Sequence, residues 1–244
     1  MEEYNLNEPL IDNKNDDDEN QIFEKMNSKI RNDFIVKVYS ILLVQILMTS
    51  LVVFFSYISK SFNDFLYNNS FFYLVSLTIL LTSIFIVLCN TQLLRTVPYN
   101  YIFLIAFTLA ESYFLAAITC SYDKQTVLIS LLFTFVMVLT LTIYAFKTET
   151  DITVYGGVLF CLLTLSILCG IILIFIRIDF LILVYNIIVL IIFAAYIVFD
   201  TQLMFGKNNG MKYSTDDYIL ASINLYLDII NLFIQLLSIL NNRN

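Results

Sequence analysis

Two aspartates, Asp200 in FDTQLM and Asp228 in LYLDIINLF, interrupt apolar stretches that otherwise read as ordinary membrane-spanning sequence. An ionised carboxylate in hydrocarbon costs several kcal/mol, so an acid at that depth faces a cavity or a partner and marks a site. Glu111, in FTLAESYFLAA, is a third intramembrane acid, with Thr108 on the same helical face one turn earlier. No Lys, Arg or His lies at similar depth, and the chain contains no histidine at all. Two carboxyls in contact without a cation titrate as one pair that holds a proton tightly. Deprotonated, the pair attracts a hard cation. Calcium takes several oxygen ligands, and Asn224, Asn231 and Glu111 can add theirs to those of Asp200 and Asp228. The chemistry this predicts is a proton-sensitive cation path or latch, not a preformed high-affinity calcium cage. The plainer alternative is a set of protonated acids that only ties helices together.

Around Asp228 the spacing is sharper. Asp217, Ala221, Asn224, Asp228, Asn231, Gln235 and Ser238 follow at steps of four and three, on one face of a helix whose other faces are Leu, Ile, Tyr and Phe. The pattern predicts a polar seam turned inward, supported by Asn224, Asn231 and Gln235, and an oily surface turned outward.

The elements that position these groups are membrane helices. With 59% hydrophobic residues and a mean hydropathy of +0.82 over 244 residues, the chain reads as all-α and polytopic. Apolar runs long enough to span lie at 38–59, 65–94, 125–146, 152–176 and 180–199; two more, 101–119 and 218–240, qualify if one acid each is tolerated. That makes seven spans. Residues 1–24 hold nine acids and one lysine with no apolar core, so no cleavable signal is present and 1–30 reads as a disordered acidic cytosolic tail. The seven-helix domain then occupies 31–244. The net charge of −7 comes mostly from this tail and implies no nucleic-acid partner.

Lys25, Lys29, Arg31 and Lys37 abut the first span and put the N-terminus in the cytosol. With alternating loops, Arg95, Lys147, Lys207 and Lys212 join them there, against Lys60, Lys124, Arg177 and Arg243 on the far side. Pro98 separates the second and third helices, and Arg95 stands at the cytosolic mouth, as a lipid-phosphate anchor or as a gate latch for the acids. Cys89, Cys120, Cys161 and Cys169 form no C-x-x-C pair and read as packing residues, and an imidazole-based zinc or haem site is excluded. No resident cofactor is expected. The uncharged fourth and fifth spans, with Gly156, Gly157 and Gly170, read as scaffold. Ser214 or Thr215 followed by Asp216 and Asp217 reads as a helix start.

The segments RNDFIVKVYSILLVQILMTS, VPYNYIFLIAFTLAESY, FDTQLM and DDYILASINLYLDIINLFIQLL resemble the transmembrane Bax inhibitor motif family, its Lifeguard branch most. The resemblance covers the chain from Arg31 to Leu240. It implies seven helices with the last surrounded by the other six, calcium leak across an intracellular membrane (endoplasmic reticulum or Golgi), and suppression of cell death. It also implies a pH-sensing aspartate pair on the sixth and seventh helices, here Asp200 and Asp228, with an arginine near the end of the second, for which Arg95 is the candidate. Glu111 falls where Lifeguard-type relatives often carry an acid. The expected function is a pH-sensitive calcium leak channel, monomeric, contacting membrane lipid, calcium and protons. A second reading is a non-conducting regulator that acts through cell-death regulator proteins. An intramembrane aspartyl protease would set its second aspartate in G-x-G-D and use a later Pro-Ala-Leu; here that aspartate sits in LYLD and the only prolines are Pro9 and Pro98. A seven-span receptor would carry D-R-Y and N-P-x-x-Y motifs, which this chain lacks. No enzyme activity is expected.

Overall fold

The computed structural model describes residues 13–89, 91–206 and 213–241, and every regular element among them is helical. In chain order they are α1 (Asn13–Ile58), α2 (Lys60–Asn68), α3 (Ser70–Cys89), α4 (Tyr99–Thr119), α5 (Lys124–Lys147), α6 (Gly156–Phe175), α7 (Asp179–Phe205) and α8 (Tyr218–Asn241). Short 3-10 turns precede α4 (Thr91–Arg95) and α6 (Ile152–Tyr155). Six helices are long and apolar enough to cross a membrane: Ser28–Ile58 of α1, α4, α5, Ile152–Phe175, α7 and α8. The protein is an all-α polytopic membrane protein.

The remaining expected span, 65–94, is not one straight helix. Phe71–Val87 of α3 leaves α2 at 75°, so the seventh candidate span is a bent pair. The side-chain amides of Asn68 and Asn69 donate back to the carbonyls of Asp64 and Phe65, at 2.9 Å each, and close α2 there. Of the acidic segment 1–30, residues 1–12 lie outside the described residues, and from Asn13 the chain is already helix running into the first span. No proline lies between Pro9 and Pro98 and no glycine precedes Gly156, so nothing in this stretch forces a later start.

The last helix is the centre of the bundle. α8 packs mainly on α7, α1 and α5, and also touches α4 and the Thr91–Arg95 turn. α3 leans on α4 and α6 on α7, one layer further out, so the enclosure of α8 is built chiefly by four helices rather than evenly by six. Its oily faces, expected to meet lipid, are buried: Ile219, Ile223, Leu225, Ile230, Leu232 and Leu237 are all covered. Periodicity tells where polar residues fall but not what covers the apolar ones, because lipid tails and protein interiors are equally apolar. The lipid-facing surface comes instead from α3, α5 and α6, where Leu81, Leu128, Phe135, Phe160 and Phe175 are exposed.

The expected close approach of α6 is confirmed at two of its three glycines. A Cβ at Gly170 would meet the Tyr185 hydroxyl at 2.6 Å, and one at Gly156 would meet the Phe199 ring at 3.0 Å, whereas Gly157 faces open space. The C-terminal end of α7 is clamped from outside the bundle core. Gln202 donates to the Thr150 carbonyl (2.9 Å) and accepts from the Ile152 amide (2.8 Å), and Arg31 of α1 donates to the Phe205 carbonyl (3.4 Å).

Between α1, α4 and α8 runs a buried chain of hydroxyls and amides. Thr49 Oγ1 lies 2.7 Å from Tyr226 Oη and 3.0 Å from Ser112 Oγ, and Gln45 Nε2 donates to Thr108 Oγ1 at 3.2 Å. In a bilayer such bonds hold helices together at about 1 kcal/mol each. Tyr226→Phe removes one of them and leaves Thr49 its bonds to Ser112 and the Gln45 carbonyl. The expected loss is about 1 kcal/mol, read as a fall of about 2–4 °C in the thermal midpoint of the detergent-solubilised protein. An unchanged midpoint would show that this chain contributes nothing to holding α8.

Candidate functional site

Asp200 lies in the last turns of α7 and Asp228 near the middle of α8, on neighbouring helices, and both are 6% exposed. Their carboxyls lie side by side, within reach of one another. Two ionised carboxylates are both acceptors, so a hydrogen bond between such neighbours requires that one carry the proton. Asp228 Oδ2 is buried with no donor of its own among the described residues. The pair expected from the sequence is thus assembled, and its geometry suits a shared proton.

Along the rest of the seam the partners are specific. At the start of α8, Asp217 is gripped from two sides: Arg95 Nε donates to Oδ1 (2.6 Å), Arg95 Nη2 donates to Oδ2 (2.9 Å), and the Ser214 amide also donates to Oδ2 (2.9 Å). A fork-to-fork contact of this kind fixes direction as well as charge. Bonding to Asp217 pushes the Arg95 guanidinium above its ordinary range, so it stays charged. Arg95 therefore pairs with Asp217 at the entry of α8, whereas the sequence offered it either a lipid phosphate or the aspartate pair. The Ser214–Asp217 stretch forms the helix start that its composition announced, with the Ala221 amide bonding to the Asp217 carbonyl.

Asn224 Nδ2 donates to Tyr213 Oη at 3.2 Å, and the Tyr213 ring stacks on Phe34 of α1 with centroids 6.1 Å apart. Burial, reinforced by the nearby charge of Asp200 and Asp228, pushes the Tyr213 phenol well above its usual range. It keeps its proton, and the loop thereby sets a neutral aromatic cap over the acids. Further along, Asn186 of α7 donates to Ser238 Oγ at 2.6 Å. Asn231 turns back to its own helix at the Leu227 carbonyl (2.8 Å), and Gln235 makes no hydrogen bond among the described residues.

Glu111 does not join the pair. It is 5% exposed and lies in electrostatic reach of Tyr226, in the hydroxyl chain between α1, α4 and α8, with no hydrogen-bond partner among the described residues. No set of three or more His, Cys, Asp or Glu side chains fit to hold a metal occurs among the described residues. The calcium ligand set drawn from the sequence is therefore reduced to the two aspartates, with Asn224 turned to Tyr213 and Asn231 to its own backbone. Two adjacent acids do not supply the roughly six to eight oxygens of a resident calcium cage.

Sequence reasoning had placed Asp217 in the seam without a partner and had passed over Tyr213, Asn186 and Gln202. Gln202 was legible in principle, since it is a polar residue two positions from Asp200. Tyr213 sits among Gly, Asn, Lys and Ser and reads as a solvated loop.

Comparison with known proteins agrees with this architecture. The profile of the family described as "Inhibitor of apoptosis-promoting Bax1" matches residues 31–244. Protein lifeguard 3 of Homo sapiens is 33% identical over 222 residues, covering 88% of this chain and 70% of its own length. The Golgi anti-apoptotic protein of Vaccinia virus (strain Lister) is 34% identical over 215 residues, covering 88% of this chain and 87% of its own. A match over nearly the whole helical bundle, on a chain that sets an aspartate from each of its last two helices against the other, leaves one conclusion: this protein belongs to the Bax inhibitor family.

Proposed function

We propose that the protein is a proton-gated calcium leak path of an intracellular membrane, and that through calcium it regulates cell death. The observation that carries the gate is the buried contact between Asp200 and Asp228, with Asp228 Oδ2 lacking any other donor among the described residues. The names of the relatives, lifeguard and Golgi anti-apoptotic protein, support the cell-death role and an address in the Golgi or endoplasmic reticulum. The basic residues flanking the first span support a cytosolic N-terminus.

The chain's own residues suggest the sequence of events. With one proton on the pair, the carboxyl contact ties α7 to α8, while Tyr213 covers it and Arg95 holds Asp217. Loss of the proton puts two negative charges side by side in low dielectric, where repulsion is strong and unscreened. The helices part at that level, and the freed carboxylates offer oxygen to a dehydrating cation. Flux therefore rises with pH.

The test is calcium flux into liposomes that contain the purified protein, scanned from about pH 5 to 8, the range over which enclosed carboxyl pairs exchange protons. Flux that climbs with pH supports the gate. A flat or falling profile refutes its sign, and no flux above empty liposomes at any pH leaves a non-conducting regulator that works through protein partners.

A further inference from the structure

At the end of the bundle away from Arg95 and Asp217, a cavity of about 900 Å³ opens between α1 and α5, with α8 and Leu115 of α4 as its floor. This is the size of a site for a large ligand, for which roughly 300–1,000 Å³ is usual. Its walls are almost wholly aliphatic and aromatic: Leu51 and Phe54 on α1, Leu131 and Phe135 on α5, Ile230 and Phe233 on α8. Of the threonine and serine hydroxyls that border it, those of Thr49 and Thr134 are already engaged, which leaves Ser50. Thr49 bonds to Tyr226 and Ser112, and Thr134 donates to the Ser130 carbonyl of its own helix. A single serine hydroxyl in so apolar a wall does not make a polar-ligand site.

One end is different. Lys124, the first residue of α5, lines the mouth, and its Nζ lies 5.9 Å from the centroid of the Tyr57 ring. Tyr57 is itself held there, its hydroxyl donating to the carbonyls of Thr119 (2.6 Å) and Tyr122 (3.2 Å). No carboxylate pairs with Lys124 among the described residues; Asp123 precedes it in the chain but forms no ion pair with it. A long apolar trough that ends in one positioned, unpaired ammonium at membrane-surface level has the complementarity of an amphiphile with apolar tails and an anionic head.

We propose that this groove binds an anionic phospholipid, its acyl chains between α1 and α5 and its phosphate on Lys124. Because Ile229 and Ile230 border both the groove and Asp228 along α8, the bound lipid braces the helix that carries the switch.

The experiment uses the full-length protein in phosphatidylcholine liposomes doped with spin-labelled lipid, read by electron paramagnetic resonance as the motionally restricted fraction. Spin-labelled phosphatidylserine is expected to be restricted several-fold more than spin-labelled phosphatidylcholine. Lys124→Gln is expected to bring the two to parity, and Thr134→Trp, which fills the trough, to reduce the restricted fraction of both. Circular dichroism and the thermal midpoint verify that each variant is folded; Lys124→Arg, which keeps the charge, serves as a second variant and is expected to retain the preference. Equal restriction of both phospholipids by the wild type overturns the proposal. So does a preference that survives Lys124→Gln, or a stronger preference for spin-labelled stearate, which would make the occupant a free fatty acid. None of these outcomes depends on calcium flux, so the lipid site and the leak stand or fall separately.

Discussion

Asp228→Asn is expected to hold calcium flux at its low-pH level across the whole scan. The reasoning follows the proton. In the wild type, a gate opened by loss of one proton closes about tenfold further for each pH unit below its midpoint. The asparagine amide at position 228 donates to Asp200 permanently, as the protonated carboxyl does, and no second charge appears when pH rises. Flux should then vary by less than about twofold over the range in which the wild type varies by about tenfold or more. Asp200→Asn should behave alike, since the contact is mutual, whereas Asp228→Glu keeps an ionisable partner and should keep a slope with a displaced midpoint. A variant that has merely lost a stepping stone for the ion is told apart by spin labels on the ends of α7 and α8 nearest the pair. Their separation should grow with pH in the wild type and stay fixed in Asp228→Asn. Should both asparagine variants retain the wild-type slope, the pair is structural and the gate lies elsewhere.

The second large effect concerns the entry to α8. Arg95→Ala leaves Asp217 only 6% exposed and with the Ser214 amide as its remaining donor. Removing one partner of such a pair strands the other charge, which costs more than the pair contributed. Tyr213 lies only four residues before Asp217, so its hold near the aspartates should loosen too, and resting flux at low pH should rise several-fold. The charge swap, Arg95→Asp with Asp217→Arg, tests the pairing itself and should return most of the restraint; Asp217→Asn should fall between. High salt should affect the wild type little, because Asp217 is shielded even though the Arg95 side chain is 44% exposed. If Arg95→Ala leaves low-pH flux unchanged, the ion pair anchors the chain without restraining the path.

How far the sequence carried these conclusions differs from residue to residue. Asp200 and Asp228 were legible because a carboxylate inside an apolar run is costly and conspicuous, and a helical period needs only local sequence. Glu111 was equally conspicuous, yet its distance from the pair depends on how α4 packs on α1 and α8, which no spacing encodes. Arg95 was noticed for its charge, but its partner lies 122 residues away, and a lipid phosphate or the intramembrane acids were offered to it instead. The bend between α2 and α3 escaped because two asparagines among Phe, Leu and Tyr barely lower the hydropathy of the run, while their amides end the helix. The central place of α8 came from resemblance; its own residues suggested an outward oily face, since burial by protein and burial by lipid select the same side chains.

The clamp at Gln202 fixes one side of the proposed gate. α7 ends with its outer side bonded at Gln202 to the loop before α6, and its terminal carbonyl is reached by Arg31 from α1. Asp200 is two residues from that clamp and rides on a fixed post. α8 is held at its start through side chains: the Arg95–Asp217 ion pair, Tyr213 stacked on Phe34, and Tyr218, whose hydroxyl lies 3.4 Å from Asn100 and from Tyr101 of α4. Under the proposed gate, repulsion between the carboxylates would act against this clamped end of α7, and the opening stroke would have to break the side-chain ties at the entry of the central helix.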